Sequence, residues 1–321
     1  MHIAAERGLI CTLNNLFQFP VLAELVAEIT SESLSPSQRS AIPVRPDGTQ
    51  PPLFFVPSGM DDYSYVFGLA QHIQSDYPIY ALPWPSINEE PASTIEALAT
   101  RMITFMKAVQ QQGPYRIYGY SSGGVLAYAI AQQLLNAGET VNFLGLIDTP
   151  APHRFKTRVV QPKLQFLAEL ARQSVDEHPQ KIEALHQKMD ELDLVQFIAA
   201  AQELELYPSN LRPDLIAKRW EQMGNYVQMV KDYEPQALAI KLHQFYAMES
   251  YPQIPFVTDV ALQSLNIEPS LGWEQIVPDS SLQLTSVPGD HFSLMEDSEN
   301  KTILAKTLSR ALAINCEAEA L

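Results

Sequence analysis

Cysteine is nearly absent: Cys11 and Cys316 are the only two in 321 residues, and they stand near opposite ends of the chain. No C-x-x-C or H-E-x-x-H spacing occurs, so neither a zinc site nor a dithiol redox centre is expected. The chain reads as a protein of the reducing cytoplasm, with no metal and no cofactor of its own. Basic residues are also in deficit, with 21 Lys and Arg against 37 Asp and Glu and a net charge of −16. That balance disfavours nucleic acid or an anionic membrane surface as a partner. No apolar run approaches the roughly 18 residues of a membrane span. The opening "MHIAAERGLICTLNN" lacks the basic-then-apolar pattern of an export signal. Internal repeats and low-complexity tracts are missing as well.

What the chain does have is apolar content, 46% of its residues, enough to build a substantial core in one large domain or two smaller ones. Residues 14–29, "NNLFQFPVLAELVAEI", carry Leu16, Phe17, Val21, Leu22, Leu25 and Ile29 at near-helical intervals. The Ser- and Pro-rich stretch "TSESLSPSQRSAIPVRPDGTQPP" that follows has the composition of a linker, which puts a boundary near residue 50. Beyond it the pattern alternates. Strands are expected at 53–57, 77–84, 115–119 and 141–148, and helices from about 94 and about 122, the βαβ rhythm of a mostly parallel sheet. The spacing of Ser93 and Glu96 predicts a capping box at the start of the first of these helices. After Pro150 the rhythm stops, and helices are expected at 162–173, 179–189, 192–203 and 213–232. Strand patterns return at 240–249 and 281–289, before a last helix at about 298–314.

Between the strand at 115–119 and the helix that follows it stands "GYSSGG", in which Gly119, Ser121 and Gly123 fit G-x-S-x-G. In a strand–turn–helix context this spacing forms a nucleophile elbow, a tight turn that lifts a Ser Oγ above the sheet edge. The alternative reading of the stretch is a Ser-rich helix N-terminus capped by Ser121 or Ser122. A serine nucleophile needs a base, and the base a carboxylate that fixes its tautomer. Asp148 closes a predicted strand and so falls on the same sheet edge as Ser121, although an Asp before "TPAP" also suits a turn. Of seven histidines, only His243 and His291 follow the helical stretch. His243 falls inside a strand, facing core or solvent, whereas His291 sits in a loop, "PGDHFS", just past a strand end. The order Ser121, Asp148, His291 is that of an α/β-hydrolase triad. Asp290 is a poorer acid, because neighbouring side chains on an extended segment diverge. Oxyanion donors are expected from the amide of Ser122 and from the loop "PSGMD", at Gly59 or Met60.

With these residues assembled, the chain closely resembles the C-terminal type I thioesterase domains of nonribosomal peptide synthetases and related carrier-protein enzymes. The resemblance covers roughly residues 43 to 315, through "IPVRPDGTQPPLFFVPSG", "YRIYGYSSGGVLAYAIAQQLLNAGE", "FLGLIDTPAP", "YEPQ" and "VPGDHFSLME". It implies an α/β-hydrolase fold over 51–321, mostly parallel, with a helical lid inserted at about 151–238. Residues 1–30 resemble the last helix of a peptidyl carrier protein without its pantetheine attachment site, and 31–50 would be the linker. On this resemblance the chain is an excised C-terminal piece whose substrate, an acyl or peptidyl chain, arrives on the phosphopantetheine arm of an upstream carrier protein. Ser121 would take that chain with His291 as base. Release would follow by hydrolysis, cyclisation or condensation. The alternatives are a stand-alone editing thioesterase or esterase and a non-catalytic carrier-docking domain. Many family members have His-Pro-Ala-Gly-Gly where this chain has "VPSGM", so Val56 replaces a His and Met60 a Gly.

Overall fold

The computed structural model describes residues 40–58, 63–85, 90–156, 160–174, 176–250 and 268–319, together with Val26. Its centre is a seven-stranded sheet in the order β1-β3-β2-β4-β5-β6-β7. The strands are β1 (Ile42–Arg45), β2 (Leu53–Val56), β3 (Ile79–Ala81), β4 (Tyr115–Tyr120), β5 (Val141–Ile147), β6 (Leu242–Ala247) and β7 (Leu282–Val287). Every neighbouring pair is parallel except β1 with β3. This is the α/β-hydrolase arrangement expected, with helices on both faces.

Period-2 alternation explains how each strand serves two cores. Phe54, Val56, Ile117, Leu144 and Leu146 face α2 (Ile95–Val109) and α3 (Gly123–Asn136). Leu53, Phe55, Tyr118, Phe143 and Ile147 face the other way, toward α1 (Ser64–Ala70) and the terminal helix Ser298–Glu319. Because both faces are covered, β2 is buried along its whole length. Among the described residues, four α-helices lie between β5 and β6: α4 (Pro162–Ser174), α5 (Pro179–His186), α6 (Leu194–Glu203) and α7 (Pro213–Asp232). They enclose an apolar cluster of their own, in which Phe166 meets Trp220, Tyr207 and Phe197 at ring distances of 5.7, 5.3 and 6.3 Å. The 20-residue α7, roughly 30 Å long at 1.5 Å per residue, belongs to two cores. Ile216, Ala217 and Trp220 pack within the insertion, whereas Tyr226, Val227 and Val230 pack against the sheet's helices.

Several local expectations are corrected. Residues 42–45, read as linker, form the antiparallel edge strand β1, so the folded unit begins before residue 51. Four residues flanked by proline are too few to show alternation, and the edge position explains why Pro43 is tolerated there. Arg45 anchors this strand by donating to the carbonyls of Ala70, Ile73, Ser75 and Tyr77. Helix α2 is capped by Thr94, whose Oγ1 accepts from the Ala97 amide at 3.1 Å, one residue later than the Ser93 box. A capping box does occur at α6, where Asp193 and Gln196 exchange bonds of 2.8 and 3.1 Å. Helix α1 was not expected at all, and α5 stops at His186 rather than 189. The carrier-like stretch 1–30 lies outside the described residues, apart from Val26.

Candidate active site

The sheet order reverses between β2 and β4: the chain leaves β2 for β3 on one side, then crosses to place β4 on the other. In open α/β sheets the crevice beyond the carboxyl ends at such a reversal receives ligands. Ser121, Asp148 and His291 all stand there, just past β4, β5 and β7.

Two of them are held in the left-handed backbone region, Ser121 at φ 54° and Asp148 at φ 44°. For a residue other than glycine this costs on the order of 1–3 kcal/mol and persists only where the surroundings enforce it. The enforcement is visible on both. The Ser121 amide continues the β4–β5 ladder by donating to the Ile147 carbonyl at 2.9 Å, and the Asp148 amide continues the next ladder to the Phe245 carbonyl at 2.7 Å. Each strand is thus bonded to its last residue, and the chain then turns sharply. The elbow closes only because three glycines stand around Ser121. A Cβ on Gly119 would meet the Gly123 carbonyl at 2.5 Å, one on Gly123 the Pro57 carbonyl at 2.4 Å, and one on Gly124 the Thr149 hydroxyl at 2.0 Å. Ser122 occupies the N-cap position of α3, but its hydroxyl makes no capping bond, which removes the ground for reading the serines as a helix cap.

The three side chains meet. Ser121 Oγ lies 2.9 Å from His291 Nε2, and His291 Nδ1 lies 2.6 Å from Asp148 Oδ2. Asp148 and His291 are buried, and the second carboxylate oxygen of Asp148 accepts the Ala247 amide at 2.8 Å, so the acid is oriented from both sides. An imidazole so placed has one nitrogen directed at a hydroxyl and the other at a carboxylate, the geometry for drawing a proton off the hydroxyl. Asp290, judged the poorer acid, instead accepts the amides of Phe292 and Ser293 at 2.8 and 3.1 Å and shapes the loop that carries His291. His243 lies in β6 and faces the core, stacked on Phe143 at 4.3 Å.

Ser122, the first expected oxyanion donor, is buried at the N-terminus of α3, where amide dipoles favour negative charge. Gly59 and Met60 lie outside the described residues. The stretch just before them abuts the elbow: the Ser58 amide nitrogen is 3.2 Å from where a Gly123 Cβ would stand.

Other residues that the sequence did not single out complete the surroundings. Tyr120 donates its hydroxyl to the His291 carbonyl at 2.6 Å and stacks on the imidazole. Tyr226 reaches from α7 to donate to the Ser122 carbonyl at 2.8 Å, its ring edge-on to Trp84. Burial pushes the Tyr226 hydroxyl well above the usual phenol range, so it stays a donor. From α4, Arg172 covers the Phe292 ring at 4.3 Å and pairs with Glu296 at 3.0 Å and with Glu169. The inserted helices therefore touch both the Ser121 turn and the His291 loop. Apart from Glu169, three residues before Arg172, the partners in these contacts are a hundred or more residues away, so the tyrosines and the arginine carry no local signal for them. Among the described residues no group of His, Cys, Asp and Glu could hold a metal ion, and no helix is long and apolar enough to cross a membrane.

A family profile described as "Thioesterase domain" matches residues 51–312. The atromentin synthetase nps3 of Serpula lacrymans is 28% identical over 300 residues, 88% of this chain and 29% of that protein. The chain spans between 2% and 29% of the length of the first curated relatives it matches. Among solved structures, a holo four-domain nonribosomal peptide synthetase, AB3403, bound to AMP and glycine, aligns with a TM-score of 0.68 at 23% identity, over 97% of this chain and 23% of that one. The NocB thioesterase domain, in covalent complex with a fluorophosphonate nocardicin G analog, aligns with a TM-score of 0.53 at 22% identity, over 83% of this chain and 96% of that one.

Proposed function

Since the chain belongs to the thioesterase domain family, we propose that it takes an acyl or peptidyl chain from a thioester onto Ser121 and passes it to a second nucleophile. The observation that carries this reading is the continuous Ser121–His291–Asp148 contact, at 2.9 and 2.6 Å, on three strand ends. As Ser121 Oγ attacks the thioester carbonyl, its proton moves to His291 Nε2, and Asp148 holds the resulting imidazolium. The oxyanion is met by the Ser122 amide and by a donor of the loop after β2, Gly59 or Met60 or the adjoining Ser58. Collapse breaks the C–S bond, and the thiolate leaves with the proton from Nε2. In the second half His291 takes a proton from water or from a hydroxyl, amine or carbon nucleophile on the substrate, and returns it to Ser121 Oγ as the ester breaks.

The synthetase relatives support a carrier-bound thioester, so the substrate's phosphopantetheine arm belongs to a carrier protein rather than to this chain. The carrier-like pattern at 14–29 suits a remnant of that neighbour, and the helices between β5 and β6 suit a lid. Two widely separated cysteines fit a cytoplasmic setting.

The test is incubation with acyl N-acetylcysteamine thioesters, followed by intact-protein and peptide mass spectrometry. An acyl adduct on the peptide holding Ser121, absent in Ser121→Ala, is expected. Turnover that survives Ser121→Ala overturns the assignment. Neither adduct nor turnover with any thioester, carrier-bound substrates included, favours a carrier-docking domain instead.

A further inference from the structure

The residue between Gly119 and Ser121 sits directly against the histidine. Tyr120 is half-buried, its hydroxyl donates to the His291 carbonyl at 2.6 Å, and its ring lies 5.2 Å from the imidazole with the planes inclined by 26°. The other flank of the imidazole meets the Phe292 ring at 5.3 Å and 79°. Tyr120 is itself braced by Tyr65, at 5.5 Å, whose hydroxyl is fixed on the Val56 carbonyl at 2.7 Å. A buttress thus runs from the end of β2 through two tyrosines to His291.

We infer that Tyr120 is a positioning residue for His291, its hydroxyl setting the height of the histidine loop and its ring face favouring the imidazolium that forms when Ser121 loses its proton. This rests on the reading of His291 as base. The physical reason is differential. A neutral imidazole gains little from a parallel aromatic face, whereas a cation within about 6 Å of the ring centroid is drawn to the negative face of the π system. The contact therefore strengthens as charge develops, and only such contacts raise the rate of the chemical step. The hydroxyl bond serves the same end geometrically. Because Tyr120 precedes Ser121, one rigid segment carries the nucleophile and holds the base that must face it.

Single-turnover acylation of the full chain by a saturating acyl N-acetylcysteamine thioester, read by rapid quench and mass spectrometry, tests the inference. Tyr120→Leu is expected to slow acylation about tenfold, within the range that a cation–π contact supports, with half-saturation changed less than twofold. Tyr120→Phe, which keeps the face but loses the bond to the His291 carbonyl, should recover part of that loss and not all of it. A phenylalanine series at position 120 bearing zero, one, two and five fluorines keeps the shape while draining the ring face, so it remains informative even if the leucine variant folds poorly. Acylation should fall steadily along that series. A flat fluorine series, a leucine variant that acylates at the wild-type rate, or a loss confined to half-saturation each overturns the inference. His291→Ala is run beside them: undiminished acylation there would remove the base assignment itself, whereas loss there with an unaffected Tyr120 series would leave the base in place and remove only the role of Tyr120.

Discussion

Gly124 and Gly138 stand at the two ends of α3, and a methyl group would act on them differently. A Cβ on Gly124 would stand 2.0 Å from the Thr149 hydroxyl and 2.6 Å from its methyl group, and Thr149 is fully buried, so it has nowhere to go. Gly138 has φ +79° with nothing within 4 Å. Gly124→Ala should therefore cost about 3 kcal/mol or more by overpacking, and Gly138→Ala about 1 kcal/mol by backbone strain alone. Denaturant unfolding of the two variants measures the difference, and equal losses would contradict the steric account. Asp148 offers a sharper separation of stability from activity. Asp148→Asn keeps an oxygen for the Ala247 amide and loses the charge that faces His291 Nδ1. The expected result is turnover reduced roughly 10³- to 10⁴-fold with little change in melting temperature.

At the scale of elements, α7 is the member that joins the insertion to the sheet domain. Its N-terminal half packs with Phe166 and Phe197, while its C-terminal half delivers Tyr226 to the turn that carries Ser122. The Ser122 carbonyl also accepts the Val125 amide at 3.1 Å, so Tyr226→Phe does not leave the carbonyl bare. The expected cost is about 1 kcal/mol of stability. Hydrogen exchange should quicken first in α7 and in the opening turn of α3, ahead of the central strands. Exchange that rises equally everywhere would mean that Tyr226 supports the core in general and not this joint.

The stability of the whole molecule should depend on pH through a residue remote from the site. His243 is stacked between Phe143 and Phe245, and its Nε2 has no hydrogen-bond partner among the described residues. Burial, aided by the charge of Lys241, brings its pKa down to about 4. The unfolded chain binds this proton near pH 6.5 and the folded chain does not until about pH 4, so stability is fully present above 6.5 and is lost as pH falls through that window. The loss amounts to about 3 kcal/mol once both states are protonated. His243→Leu should flatten the stability profile between pH 6.5 and 4 relative to the parent. Parallel profiles for the two proteins would show that other groups govern acid unfolding.

The central strands, the helices of the insertion and the order Ser121, Asp148, His291 were legible in the sequence, because periodicity and the strand–turn–helix context of "GYSSGG" are properties of residues adjacent in the chain. Short or edge elements were not: β1 has four residues and a proline, and α1 has seven residues, too few for a period to declare itself. Long-range pairings were equally hidden. Which hydroxyl lies 2.9 Å from which imidazole across 170 residues, why Gly124 must yield to Thr149, and how Tyr120 and Tyr226 come to hold the histidine loop and the Ser122 turn were decided by tertiary structure. These contacts arise from the order of the strands and the packing between layers. Local sequence sets the strands and helices, but the sheet order and the layer packing choose which strand ends stand side by side, and so which side chains can meet.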